Sequence, residues 1–146
     1  MNLGIFSKTF AGNKPEVVLK AVKKSGFSET QYNMSCSGIK SLPEILTNEI
    51  IEDISTASKK NKVRISAISG TYNMVHPNKE IRMKGQKSIE LLASYANKIP
   101  TKLITLCTGT KNPLDQWTSH IENNSKDAWQ DLLVSMEKVI QIADQY

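Results

Sequence analysis

The chain has 146 residues, which is long enough to bury a hydrophobic core and falls within the usual size of one domain. Hydrophobic residues make up 39% and charged residues 23%, so composition excludes a disordered or fibrous protein. The net charge of +5 suits an anionic small ligand as well as nucleic acid. No apolar run approaches the ~18 residues of a membrane span, and no signal peptide stands at the start. The sequence therefore predicts a single cytoplasmic domain over residues 1–146.

Short apolar runs alternate with longer amphipathic stretches, and this alternation predicts about four βα units around a parallel sheet. The predicted strands span residues 3–6, 31–34, 63–68 and 103–107. The first helix begins near Pro15 and stops at Gly26, and the second stops near Asn61. The third helix is broken by Pro100.

The last predicted helix starts at a cap formed by Asn124 or Ser125 and reaches the C-terminus. Its predicted buried stripe has apolar residues at helical spacing: Trp129, Leu132, Leu133, Met136, Ile140 and Ala143. We therefore expect Trp129 to pack in the core.

Two polar loops follow strands three and four, at the end of the sheet where parallel α/β folds bind ligands. They span residues 69–78 and 108–117, and His120 lies just beyond. Both histidines, His76 and His120, fall on this face, and each either bonds a loop carbonyl, caps the next helix or contacts a substrate. A zinc site is the weakest alternative, because a closed site needs about four ligands and no Asp or Glu stands at ligand spacing.

Trp117 stands in a polar loop, where its ring either walls a sugar site or covers the rim of the sheet. The turn at residues 108–110 could present backbone amides to a phosphate, although such turns are common. Cys36 and Cys107 lie near the ends of strands two and four, about 10 Å apart across strand three and beyond disulfide reach. We expect both to be reduced thiols without an adjacent base.

The segments SGTYNMVHPN and LCTGTKNPLDQWTSHIENN resemble the sugar phosphate isomerase/epimerase family of xylose-isomerase-like TIM barrels, to which endonuclease IV is more distantly related. The resemblance runs from LGIFSKTF to IADQY. It implies a parallel (β/α) half barrel that is the N-terminal half of a TIM barrel. It also implies a set of substrate-binding residues: Asn73, His76, Thr108, Thr110, Trp117 and His120.

The activity that the resemblance implies is isomerisation or epimerisation of a sugar, sugar phosphate or cyclitol. A complete enzyme would use a divalent metal (Mn, Mg, Co or Zn) and two glutamates that move protons. These ligands and glutamates belong to the second half of the barrel. We therefore expect no catalytic residue and no metal ligand in this chain, and no activity from the chain alone. A complete barrel needs about 250 residues, which agrees with a half.

A half barrel exposes two strand edges and its inner face, so we expect either a homodimer or the missing C-terminal half as its partner. A non-catalytic interaction subunit that completes a barrel by dimerising is the first alternative function. An abasic-site endonuclease is the weakest, because lysines such as Lys20, Lys23 and Lys59 spread over helices instead of gathering on the ligand loops. No nucleic-acid or membrane partner is expected.

Overall fold

A computed structural model describes residues 2–99 and 101–146, and strands alternate with helices along this part of the chain. The strands are β1 (Gly4–Phe6), β2 (Glu29–Tyr32), β3 (Arg64–Ser69) and β4 (Ile104–Thr105). The α-helices are α1 (Pro15–Lys24), α2 (Asn48–Asn61), α3 (Lys79–Ala96) and α4 (Lys126–Gln145). Short 3-10 helices span Ser7–Thr9, Met34–Ser37 and Ile121–Asn124. In the described residues, no helix has the length and apolar character needed to cross a bilayer.

The strands form one sheet in the order β1-β2-β3-β4, and every neighbouring pair is parallel. Each parallel connection passes through a helix that covers one face of the sheet, as parallel strands require. This arrangement confirms the predicted α/β fold, a parallel half barrel of four βα units. The carboxyl ends of all four strands consequently meet at one end of the sheet.

The main core lies between the sheet and helices α1 to α3. Side chains from the strands and helices that are fully or almost fully buried meet there: Tyr32, Ile65, Ile68, Leu19, Ile54 and Leu92. A second apolar cluster continues under α4, where Val139 and Ile142 pack with Ile89 and Tyr72. Each fully buried aliphatic side chain contributes roughly 1.5–3 kcal/mol of transfer free energy, so the helical face holds the sheet in place.

Side-chain caps fix where the helices start. The Oγ1 of Thr47 accepts from the amide of Ile50, and the Oδ1 of Asn78 accepts from the amide of Glu80. Ser125 caps α4 by accepting from the amide of Ala128 at 3.1 Å, which confirms one of the two predicted caps. These oxygens satisfy amides that the first helical turn leaves without intrahelical partners.

The predicted core position of Trp129 is wrong, because this side chain is 62% exposed. Leu133, Ile140 and Ala143 of the same predicted stripe are also exposed. The residues of α4 that are buried lie on an adjacent face: Ala128, Ser135, Val139 and Ile142. The sheet of the described residues ends at β4, so only one of two adjacent apolar faces of α4 has a surface to pack on.

All four strands differ from their predicted bounds, β1 and β3 by no more than one residue at either end. β2 begins and ends two residues earlier than expected, and it ends at Tyr32 because the Oδ1 of Asn33 accepts from the amide of Ser35 and starts a 3-10 turn. β4 is shorter than expected, since it pairs with β3 alone, through Thr105 and Ile104. α3 ends at Ala96, and its predicted breaker Pro100 lies outside the described residues.

The face of the sheet opposite the helices carries polar side chains beside apolar ones, since Phe6 is in register with Gln31 and Leu103 lies two residues before Thr105. The Nε2 of Gln31 donates to the Oγ1 of Thr105 at 2.7 Å, across the intervening strand β3. Arg64 and Glu29 form an ion pair at 2.6 Å toward the other end of the same face. The inner face therefore carries side chains that already bond to one another.

Candidate functional site

Asn73 joins the two polar loops. Its Nδ2 donates to the carbonyl of Thr110 at 2.7 Å, and its Oδ1 accepts from the amide of Thr110 at 3.0 Å. The same Oδ1 accepts from the amide of Val75 at 3.3 Å. Because these bonds are buried and use both the nitrogen and the oxygen of the carboxamide, the loop after β3 and the loop after β4 are held as one unit.

Thr110 lies beneath this junction and is almost fully buried. Its hydroxyl donates to the Oδ1 of Asn123 at 2.9 Å and accepts from the amide of Asn112 at 3.2 Å. The Oδ1 of Asn123 also accepts from the amide of Lys111 at 2.8 Å. The hydroxyl of Thr110 is thus occupied by the fold itself, and it supports the loop from below.

His76 is buried at the end of the loop after β3. Its Nδ1 accepts from the amide of Asn78 at 3.0 Å, and its Nε2 lies 3.2 Å from the carbonyl oxygen of Pro113. A carbonyl only accepts, so Nε2 carries the proton and the ring has the neutral Nε2–H tautomer in this arrangement. His76 therefore bonds a loop carbonyl, one of the roles left open by the sequence, and it also holds the amide of Asn78, the residue that caps α3.

Trp117 stands at the tip of the loop after β4 and is 70% exposed. Asp115 fixes this tip, since its Oδ1 accepts from the amide of Trp117 and its Oδ2 accepts from the hydroxyl of Thr118. The amide of Trp117 and the hydroxyl of Thr118 hold the pKa of the Asp115 carboxyl below its usual range. The indole is consequently presented to solvent by a locally bonded turn.

A cavity of about 470 Å³ lies at the carboxyl ends of β3 and β4, within the size range of small-molecule sites. Three of the predicted substrate residues, Asn73, His76 and Trp117, line it together. The other lining residues come from the segment before α2, from α3 and from the two loops: Leu42, Glu44, Tyr72, Ile81, Lys84, Gly85, Ser88, Asn112, Pro113, Leu114, Asp115 and Gln116. We call this space the rim cavity.

The remaining predicted residues lie away from the rim cavity. Thr108 lines a separate hollow of about 460 Å³ with Gly109, Ser125 and Trp129. His120 caps the 3-10 helix at Ile121–Asn124, where its Nδ1 accepts from the amide of Glu122 at 3.3 Å. The structure thus brings together three of the six predicted residues, with Thr110 directly below them.

Several lining residues have no counterpart in the sequence prediction. Tyr72 packs its ring against Gly85 of α3, where an added Cβ would lie only 2.5 Å from the Tyr72 Cγ. Glu44 and Lys84 reach the cavity from elements that carry no motif. Of these residues, only Tyr72 in the segment SGTYNMVHPN could have been predicted from sequence to line the cavity, since aromatic residues often line ligand pockets.

A buried ion network supports the same loops. Asp131 of α4 accepts from the Nη2 of Arg82 at 2.8 Å and from the Nζ of Lys111 at 2.5 Å. The side chains of Arg82 and Lys111 are only 10% and 8% exposed. The Nη1 of Arg82 also donates to the carbonyl of His76. Two buried cations thus share one carboxylate, which ties α3 and α4 to both loops.

Both cysteines are free, as predicted. The thiol of Cys36 donates to the Oγ of Ser7 at 3.3 Å, and that of Cys107 donates to the carbonyl of Tyr72 at 3.2 Å. Burial raises the pKa of the Cys107 thiol, which lowers its thiolate fraction at neutral pH. A nucleophilic role for Cys107 is therefore disfavoured.

No group of three or more His, Cys, Asp or Glu side chains converges within residues 2–99 and 101–146. Catalytic divalent metals are held by about three or more protein ligands, so these residues do not fit the metal that the family resemblance implies for a complete enzyme. No metal-dependent step is assigned to them.

Solved structures of sugar epimerases share this fold. The 3-keto-D-glucoside 4-epimerase of E. coli, in its apo form, matches with a TM-score of 0.72 and 16% identity over 99% of this chain and 52% of that chain. The D-psicose 3-epimerase of Clostridium cellulolyticum H10, solved with D-tagatose, matches with a TM-score of 0.69 and 18% identity over 99% of this chain and 49% of that chain. A candidate xylose isomerase from Rhodospirillum rubrum matches with a TM-score of 0.70 and 12% identity over 99% of this chain and 51% of that chain.

These likenesses confirm the expected xylose-isomerase-like fold. The chain spans about half the length of each of these structures. Neither a protein-family model nor a curated protein matches the chain.

Proposed function

We propose that this chain is the N-terminal half of a metal-dependent sugar isomerase or epimerase barrel, carrying part of the substrate pocket without the metal ligands or catalytic glutamates. The observation that carries this proposal is the rim cavity, which lies at the ligand end of a sheet whose fold neighbours are sugar epimerases. It combines three predicted residues, Asn73, His76 and Trp117. The coverage of about half of each neighbour supports a half barrel, formed by residues 1–146 as one domain.

The charges around the rim cavity favour an uncharged sugar over a sugar phosphate. Glu44 and Asp115 are carboxylates, and Lys84 is the one lysine among its lining residues. Lys40 lies 2.6 Å from Glu44, and its proximity holds the pKa of the Glu44 carboxyl below its usual range. Lys40 and Lys84 together balance the two ionised carboxylates, so a phosphate dianion would meet no net positive charge at this cavity.

In the proposed complex, the exposed indole of Trp117 stacks on an apolar face of the sugar. The carboxamide of Gln116 offers a donor and an acceptor to hydroxyl groups, and Asn112 offers its Nδ2 as a donor, since its Oδ1 accepts from the amides of Leu114 and Asp115. Asn73 and His76 keep their bonds within the protein and hold the loops in position. Thr110 acts from below, while Thr108 and His120 contact only a ligand that extends beyond the rim cavity.

Isothermal titration calorimetry with D-tagatose and with D-tagatose 6-phosphate tests this proposal. We expect D-tagatose to bind with a dissociation constant in the millimolar range, since a half site buries a small ligand incompletely. Trp117→Ala should weaken binding at least about 10-fold, because it removes the stacking surface. The phosphate ester should bind more weakly than the free sugar.

The matched control is Trp129→Phe, a change at the other exposed tryptophan, which lies in the separate hollow. This variant should bind D-tagatose as the unmodified chain does. Binding that is insensitive to Trp117→Ala, or stronger binding of the phosphate ester, would contradict the assignment of the rim cavity to a neutral sugar.

We also expect no sugar turnover by the chain alone when manganese, magnesium or cobalt is added, because the implied metal ligands and acid–base carboxylates belong to the other half. Conversion of D-tagatose to its epimers, followed by chromatography, is the measurement. Metal-dependent turnover by the purified chain above a vector control would show that the catalytic groups lie in these residues after all.

Two alternatives have weaker support. A non-catalytic interaction subunit is favoured by the free strand edges at β1 and β4. An abasic-site endonuclease would need a basic surface near the ligand loops, whereas Lys20, Lys23 and Lys59 are exposed on α1 and α2. A DNA affinity that falls steeply as the salt concentration rises would support the endonuclease alternative. A cytoplasmic setting is part of the proposal.

A further inference from the structure

We propose that two copies of this chain close edge to edge into one barrel, with β4 of each copy beside β1 of the other and α4 packed against α1. This inference rests on the proposed function in one respect only, namely that a barrel half needs a complementary half. It identifies that half as a second copy and it fixes which surfaces meet.

The topology provides two complementary edges. β1 and β4 lie at opposite ends of a sheet in which every pair of neighbours is parallel. The carbonyls of Leu103 and Thr105 accept from β3, so the backbone groups of the alternating residue Ile104 point to the free side. A two-fold axis along the strands would pair both free edges in parallel, which leaves no open edge.

Exposed apolar side chains lie at both of these edges. On the β4 side, Leu133 and Ile140 of α4 are 44% and 54% exposed. On the β1 side, Leu3 and Val17 are 58% and 51% exposed. Such side chains on adjoining secondary structure are typical of an interface rather than of scattered surface residues.

A groove beside β4 has room for side chains of the added strand. It has a volume of about 500 Å³ and lies between α3, β4 and α4. Ile104, Leu106, Ile142 and Tyr146 contribute to its largely apolar wall. When β1 of a second copy extends the sheet, the side chain of its Leu3 or Ile5 enters this groove.

The two helices that would meet carry opposite net charge. α1 contains three lysines and one glutamate, whereas α4 contains four carboxylates and two lysines. One of those carboxylates, Asp131, is engaged by Arg82 and Lys111, and the remaining charge of α4 is still negative. Contact between α4 and α1 of a second copy is therefore attractive, whereas contact between two α1 helices is repulsive.

Packing the inner faces of two copies against each other is less favourable. That arrangement would leave the edges of β1 and β4 unpaired in both copies. It would also bury the polar pairs Gln31–Thr105 and Glu29–Arg64 of both copies in the contact. Edge-to-edge closure keeps these pairs intact inside the barrel and satisfies the strand edges.

Sedimentation equilibrium tests the proposal. The unmodified chain should have twice its monomer mass of 16.3 kDa at micromolar concentration. Ile140→Glu places a charge in the α4 contact and should raise the dimer dissociation constant at least about 10-fold. Ile45→Glu is the matched control, since Ile45 is 76% exposed and remote in sequence from both edges, and it should leave the mass unchanged.

Cross-linking establishes the geometry. An equal mixture of Val17→Cys and Leu133→Cys chains, oxidised after assembly, should give mixed α1–α4 cross-links in excess over links between identical chains. A folded species of monomer mass at high concentration would overturn the proposal. Equal sensitivity to Ile140→Glu and Ile45→Glu, or a preference for identical links, would overturn it as well.

Calorimetry on the same samples separates this inference from the proposed function. A monomer that binds D-tagatose through Trp117 leaves the proposed function intact and refutes the second copy. A dimer that binds no sugar supports the second copy and refutes the proposed function.

Discussion

Replacing Asp131 with Asn is expected to lower the free energy of unfolding by about 3 kcal/mol or more, since removing one partner of a buried ion pair leaves the others uncompensated. Asp131 is the shared partner of Arg82 and Lys111, whose side chains are 10% and 8% exposed. The neutral amide has nearly the same shape, so the loss comes from charge. Urea unfolding followed by circular dichroism measures it.

Asp144→Asn is the matched control for this experiment, because it makes the same change on the same helix at an exposed position. Its effect should lie within about 0.5 kcal/mol of zero. Both variants must be compared at one protein concentration, since the stability of an oligomer depends on concentration. Equal stability of the two variants would mean that the network at Asp131 does not contribute to folding.

Gly109→Ala is expected to cost about 3 kcal/mol and to open the junction between the two polar loops. Gly109 has a φ of +83°, where an L side chain costs about 1–2 kcal/mol. An added Cβ would also collide with the Oδ1 of Asn73 and lie 2.8 Å from its Cα. Overpacking of this kind typically costs a further ~1–3 kcal/mol.

Gly26→Ala isolates the first of these effects, the cost of a side chain at positive φ. Gly26 has a nearly identical φ of +88°, and an added Cβ there meets nothing within 4 Å. It should therefore show only the backbone cost of about 1–2 kcal/mol. The difference between the two variants in urea unfolding measures the collision with Asn73. If Gly109→Ala and Gly26→Ala were equally stable, the loops would not be held in the way described.

The βα organisation could be predicted from sequence because it depends on local signals. Alternating apolar runs, Pro15 at the start of a helix and Ser125 as a cap each act over a few residues. The position of both polar loops at one end of the sheet could be predicted because the carboxyl ends of parallel strands meet there. These features locate the ligand end of the sheet without knowledge of side-chain contacts.

The prediction that Trp129 packs in the core was wrong for a different physical reason. α4 carries two adjacent apolar faces, and periodicity alone does not say which of them meets the sheet. That choice depends on where the sheet ends, which is a tertiary property. In the described residues the sheet stops at β4, so Trp129 and Ile140 remain exposed.

The candidate site was only partly predictable for a related reason. Asn73, His76 and Trp117 lie in polar loops with a recognisable pattern. Glu44 and Lys84 reach the same cavity from distant segments, and no local signal distinguishes them from other charged surface residues. The occupation of both ring nitrogens of His76 depends on where the fold places Pro113, which sequence spacing does not give.

Binding of a neutral sugar in the rim cavity is tested most directly by heteronuclear NMR of the uniformly ¹⁵N-labelled chain titrated with D-tagatose. We predict that the largest shift changes fall on the backbone amides of residues 72–76 and 112–117 and on the indole N–H of Trp117. The indole N–H of Trp129 should stay unchanged. Shift changes confined to the opposite end of the sheet, or to surfaces between helices, would contradict this account.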